Sequence, residues 1–149
     1  MSVINKSALV TYSPDRMFQI VDDVDAYCSF LPWCGDSKVL SRDDDEVHAM
    51  VEINHSGIRK KFTTRNLLQK DKMIEMTLID GPFKHLHGYW HFAALGEDSC
   101  KISLDLEYEF SNRLLSMAVG PVFSKIANTL VDSFCQRANE LYGKAKEGI

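Results

Sequence analysis

Between Ser37 and Phe110 apolar and polar residues alternate with a period of two, and beyond Asn112 the period lengthens to three and four. The first pattern predicts strands and the second a helix. Polar breaks at Arg42–Glu46, Asn54–Gly57, Gln69–Lys72, Asp80–Pro82 and Gly96–Ser99 divide the alternating region into about six strands. In the last of them Ile102, Leu104, Leu106, Tyr108 and Phe110 share one face, while Ser103, Asp105, Glu107 and Glu109 share the other. Such a sheet is covered on one side and wet on the other.

Ahead of this region residues 3–12 read as an opening strand. A helix start follows, with Ser13 at the N-cap, Pro14 at the first helical position and Asp15 in the first turn. Met17, Phe18, Val21 and Val24 give that helix one apolar face. A second short helix is expected over Asp25–Leu31, stopped by Pro32, because the residue before a proline is pushed out of helical angles. In the tail, apolar positions from Leu115 to Tyr142 recur at helical spacing, so one helix is expected over Asn112–Ala145, kinked or interrupted near Gly120–Pro121. About 30 residues at 1.5 Å each span roughly 45 Å, enough to cross a small sheet and cover its apolar face. The expected fold is α+β, one domain over residues 1–149: a curved antiparallel sheet around a long C-terminal helix, with two short helices after the first strand. A straight helix cannot touch a curved sheet along its full length, so a hollow is expected between them.

Composition changes this picture little. With 45% hydrophobic and 26% charged residues the chain falls in the globular range. Its net charge of -4 argues against a surface built wholly for nucleic acid. Cys28, Cys34, Cys100 and Cys135 lack C-x-x-C spacing and follow no signal-like segment, so reduced thiols in a cytoplasmic protein are expected. No window holds about 18 uninterrupted apolar residues, and no transmembrane segment is expected.

The heaviest apolar cluster, FLPWC at residues 30–34, stands where Pro32 and Gly35 break regular structure. Phe30, Leu31 and Trp33 there suit a lid that closes one end of the hollow, with Trp33 as the moving part. Leu86, Trp90 and Phe92 alternate on one strand and suit its wall, and Gly88 between them leaves space. His85, His87 and His91 project from the opposite face; with no completing ligand in sequence they read as a surface row, and no metal is expected. Asp105, Glu107 and Glu109 read as a solvated face. Arg59, Lys61 and Arg65 share one strand face opposite Ile58, Phe62 and the Thr64 methyl, a docking patch for phosphate-rich RNA or a solvated face. No hydrolase, nucleotide-loop or zinc-protease motif is present.

FLPWC, DGPF at residues 80–83, the L-x-G-x-W-x-F run of Leu86, Gly88, Trp90 and Phe92, and the amphipathic tail PVFSKIANTLVDSFCQRANELY together resemble the coenzyme Q-binding family of START-like domains over almost the whole chain. The resemblance implies a helix-grip fold with an elongated apolar cavity for ubiquinone or a similar polyisoprenoid lipid. In a bacterial branch it also implies binding to the large ribosomal subunit that blocks subunit joining. Matched positions and strand parity then give the ligand-binding set Phe30, Leu31, Trp33, Phe83, Leu86, Trp90, Phe92, Leu106, Tyr108, Val122, Phe123, Ile126 and Leu130, with Arg59, Lys61 and Arg65 for ribosome docking. The resemblance carries over no catalytic residue and no cofactor other than the bound lipid, and no DNA partner. A cyclase-like enzyme acting on an aromatic polyketide is the competing expectation; it needs an ionisable group facing the cavity, for which Tyr108 is the inward candidate.

Overall fold

A computed structural model describes residues 1–143. The chain runs β1 (Ser2–Val10), α1 (Pro14–Asp22), a 3-10 helix (Val24–Ser29), β2 (Cys34–Arg42), β3 (Glu46–His55), β4 (Ile58–Gln69), β5 (Met73–Asp80), β6 (Phe83–Gly96), β7 (Ser99–Phe110) and α2 (Arg113–Ala138). A π-helical turn, Asn139–Gly143, closes the described chain. The seven strands form one antiparallel sheet in the order β1-β7-β6-β5-β4-β3-β2. The six strands expected between Ser37 and Phe110 are β2 to β7, joined as a meander. Short polar turns suffice for this: Ser56, Gly57 and Asp71 take the positive φ values of 53°, 78° and 62° that tight reversals require. β1 then pairs with β7 from Ser2↔Tyr108 to Val10↔Cys100, bringing the two ends of the strand sequence together.

The period-two pattern translates directly into burial. Along β7, Ile102, Leu104, Leu106, Tyr108 and Phe110 are buried, and along β6 so are Leu86, Trp90 and Phe92. α2 lays Val119, Phe123, Ile126, Ala127, Val131 and Phe134 against this concave face. It packs chiefly over β1, β7 and α1, and its N-terminus is capped by the Asn112 side chain, which accepts from the Leu115 amide at 2.8 Å. By length and a mean hydropathy of 1.4, Arg113–Gly143 is apolar enough to cross a membrane; its buried stripe here serves as the core of the fold.

Four expectations are corrected. The helix runs unbroken through Gly120 and Pro121. Pro121 cannot donate to the Met117 carbonyl, and since Met117 and Pro121 are both exposed that carbonyl stays open to solvent. The second short helix is a 3-10 turn over Val24–Ser29 rather than Asp25–Leu31, and Val24 belongs to it. Cys28 and Cys34 form a disulfide: the loop between the 3-10 helix and β2 folds back so that their Cα atoms lie 5.0 Å apart, within bonding range. Cys100 and Cys135 are free thiols. Finally, Gly88 makes room for β7 rather than for a ligand, since a Cβ there would lie 2.6 Å from the Asp105 carbonyl oxygen. The expected helical residues Lys144 and Ala145 lie outside the described residues.

Candidate ligand cavity

Where α2 leaves the concave face, a cavity of about 100 Å³ remains. Ala49, Val51 and Ile53 of β3 and Phe62, Thr64 and Asn66 of β4 supply one wall; Leu86 and Trp90 of β6 with Leu104 and Leu106 of β7 supply the floor. Phe123, Ile126, Leu130 and Phe134 of α2 form the roof, and Val24, Tyr27 and Trp33 close the end under the 3-10 helix. The volume is below the roughly 300–1,000 Å³ of ordinary small-molecule sites, so a sizeable ligand enters only as lining side chains give way.

Of the residues expected at the ligand, Trp33, Leu86, Trp90, Leu106, Phe123, Ile126 and Leu130 line this cavity. Six others stand outside its lining. Leu31 is core, 1% exposed. Phe30 packs on Tyr27 and Phe134 and carries the Arg137 guanidinium over its ring at 4.9 Å. Phe92 packs edge-on to Phe18 at 5.6 Å. Phe83 and Tyr108 belong to an aromatic cluster at the other end of α2, Phe83 stacking on Phe110 at 4.8 Å and Tyr108 meeting Phe123 at 4.6 Å. Val122 is half-buried on the helix flank. The expected set lacked Val24, Tyr27, Met76, Leu104, Ala127 and Phe134, and the entire β3–β4 wall of Ala49, Val51, Ile53, Phe62, Thr64 and Asn66. The signal for Asn66 was present, because extending the inward parity of Phe62 and Thr64 by two residues lands on it.

The polar groups of the lining are few and largely engaged. The Thr64 hydroxyl donates to Asn66 Oδ1 at 2.8 Å, in a buried pair. The Tyr27 hydroxyl donates to the Val21 carbonyl, and burial, then Asp22 and Asp23, push its pKa far above the usual phenol value. It therefore stays neutral. Trp33 Nε1 is buried with no acceptor among the described residues. Tyr27 is thus the single ionisable side chain of the lining among the described residues, and its proton is committed. The inward candidate Tyr108 is in the aromatic cluster instead.

On the convex face the sheet register brings carboxylates to the histidine row. His87 Nε2 lies 2.8 Å from Glu75 Oε2, His85 Nε2 3.7 Å from Glu107 Oε2 and His91 Nε2 3.9 Å from Asp105 Oδ2. Glu75 also accepts from the Tyr89 hydroxyl at 3.2 Å. The hydrogen bond from His87, more than that from Tyr89 or the charge of Arg65, holds the Glu75 pKa below the ordinary carboxylate value. No cluster of three or more metal-ligating groups occurs among the described residues. The three cations expected to dock, Arg59, Lys61 and Arg65, are all exposed. Arg59, 70% exposed, also lies 3.1 Å through Nε from Glu52 Oε1, a carboxylate only 4% exposed, so part of its charge compensates a buried one. Of the remaining thiols, burial, then Asp132 and Cys100, raises the Cys135 pKa to about 11, and burial raises that of Cys100.

Residues 10–135 match the family described as polyketide cyclase / dehydrase and lipid transport. The chain is 46% identical to the ribosome association toxin RatA of Pseudomonas aeruginosa over 140 residues, covering 94% of this chain and 97% of that protein. It is 26% identical over 144 residues to the mitochondrial coenzyme Q-binding protein COQ10 homolog B of Xenopus laevis, covering 94% of this chain and 59% of that protein. Among solved structures the Zhui aromatase/cyclase of Streptomyces sp. R1128 superposes with a TM-score of 0.81 at 13% identity, covering 92% of this chain and 93% of that one. This last likeness establishes the helix-grip fold.

Proposed function

Because the chain belongs to the polyketide cyclase / dehydrase and lipid transport family, we propose that it uses that fold as a non-enzymatic carrier, holding a quinone or similar polyisoprenoid lipid between sheet and α2. The observation that carries this reading is the chemistry of the cavity wall. It is apolar apart from Tyr27, Trp33, Thr64 and Asn66, and none of these supplies a proton-transfer group near neutral pH. Cyclase chemistry needs a positioned acid or base, so the wall favours holding a molecule over transforming it. The likeness to a coenzyme Q-binding protein supports the same class of ligand. Extraction of the natively purified protein followed by lipid mass spectrometry tests the reading. A stoichiometric polyisoprenoid quinone is the expected result, and a protein that neither retains nor takes up any such lipid overturns it.

The high identity to proteins named ribosome association toxin favours a second activity on the outer surface. In this reading Lys61 and Arg65 dock the protein on the large ribosomal subunit in the cytoplasm and hinder subunit joining, while Arg59 serves Glu52 rather than the ribosome. Exposed cations on an extended strand suit phosphate contacts that position without reading sequence.

A further inference from the structure

Within the carrier reading, the polar atoms of the cavity say what kind of head group it takes. Thr64 and Asn66 stand two residues apart on the concave face of β4, 7% and 9% exposed, and opposite Ala49 and Val47 of β3. The Thr64 hydroxyl proton goes to Asn66 Oδ1. That bond orients the Asn66 amide so that its oxygen is engaged while both Nδ2 hydrogens lack a described acceptor. The Tyr27 proton goes to the Val21 carbonyl, and Trp33 Nε1–H has no described acceptor either. The wall's unspent hydrogen-bonding hydrogens are therefore those of two N–H groups, one on β4 and one beside β2, in apolar surroundings. Trp33 Nε1 is a fully buried donor without an acceptor, whereas Asn66 Nδ2 is an unpaired donor at the cavity wall that a ligand bringing an acceptor can engage.

We propose, resting on the carrier reading, that Asn66 Nδ2 is the recognition donor for a ligand carbonyl, held in register by Thr64, and that the cavity selects the oxidised quinone over the hydroquinone. A quinone oxygen accepts from the amide and carries no hydrogen of its own. A hydroquinone has two O–H hydrogens to place, and the side-chain acceptors of this wall near Asn66 are the second lone pair of Asn66 Oδ1 and the Thr64 hydroxyl oxygen, both already in the Thr64–Asn66 pair, whereas the quinone needs only the unpaired Nδ2 donor. The ring then lies against the Asn66 end of β4, and the chain extends toward Phe62 and Trp33, since β4 runs antiparallel to β3 and Trp33 is tied to the far end of β3 by the Asn54 amide.

Calorimetric titration of the purified protein with 2-geranyl-1,4-benzoquinone, its hydroquinone under anaerobic conditions, and geranylbenzene tests this directly. The wild type is expected to bind the quinone at least tenfold more tightly than either of the others. Asn66→Leu is expected to lose that margin while its affinity for geranylbenzene stays within about twofold, so the variant carries its own control for folding. If the variant no longer binds geranylbenzene, Thr64→Val decides: a severalfold loss for the quinone alone supports the assignment, and unchanged quinone affinity overturns it. Equal affinity of the wild type for quinone and hydroquinone, or an Asn66→Leu protein that binds the quinone like the wild type, overturns the assignment and leaves the carrier reading standing. Absence of binding of all three to the wild type overturns both.

Discussion

Phe123 illustrates how one residue serves two purposes. Its ring lines the cavity, yet it also meets Tyr108, Phe83, Phe110 and Phe62 at centroid distances of 4.6, 5.0, 5.9 and 6.3 Å. Beside a roomy hollow its loss would cost little, but four aromatic neighbours leave it packed on most sides. Phe123→Ala is therefore expected to lose about 3–5 kcal/mol of unfolding free energy, a core-sized deletion, and urea denaturation checks the value. Glu52 is the corresponding polar case. Its carboxylate is buried beneath Gly35, where a Cβ would come within 2.4 Å of Oε1, and Arg59 is its ion-pair partner. A charge reversal at Arg59 thus disturbs the fold as well as any docking surface, because it leaves an uncompensated carboxylate in the interior.

At the scale of elements the segment from the 3-10 helix to β2 is the most distinctive. It contains Leu31 as a buried anchor, Trp33 on the cavity wall and the Cys28–Cys34 disulfide that closes a short loop around both. The cross-link ties Trp33 to the 3-10 helix, so if this loop gates the cavity its reduction is expected to loosen the gate. Cys28→Ser is expected to lower stability by about 2 kcal/mol, the loop-closure entropy of so short a ring, and to speed release of bound quinone. Stopped-flow tryptophan fluorescence, with and without dithiothreitol, measures the exchange. Equal rates in the oxidised and reduced wild type would show that the loop does not gate the cavity. α2 makes the complementary point: its stripe from Val119 to Ala138 is buried along the sheet, so in the carrier reading ligand entry is expected through the loop and through side chains such as Met76 and Leu130.

For the molecule as a whole, the two proposed activities occupy opposite sides of one sheet. The cavity is on the concave face, while Lys61 and Arg65 project from the convex face of β4, the strand that also carries Thr64 and Asn66 inward. The double variant Lys61→Glu, Arg65→Glu is expected to lose co-sedimentation with the large ribosomal subunit, with binding of the wild type falling steeply as salt is raised. Quinone titration of the same variant is expected to match the wild type. Unchanged sedimentation returns this face to solvent.

The hydrophobic pattern alone specified most of the elements and their faces. Period-two alternation placed Leu86, Trp90 and Leu106 inward, and three-four spacing placed Phe123 and Ile126 on the helix stripe, because side-chain direction follows from local backbone geometry alone. The family resemblance named the helix-grip fold on the same residues. Tertiary structure decided what those inward residues touch. Parity cannot separate Leu86 on the cavity wall from Phe92 packed on Phe18, since both point inward and only the path of α2 across the sheet divides cavity from core. It equally hid the Cys28–Cys34 bond, the pairing of Arg59 with Glu52 and the carboxylates beside His85, His87 and His91. Each of these depends on strand register and loop path, which bring together residues whose local patterns carry no mark of one another.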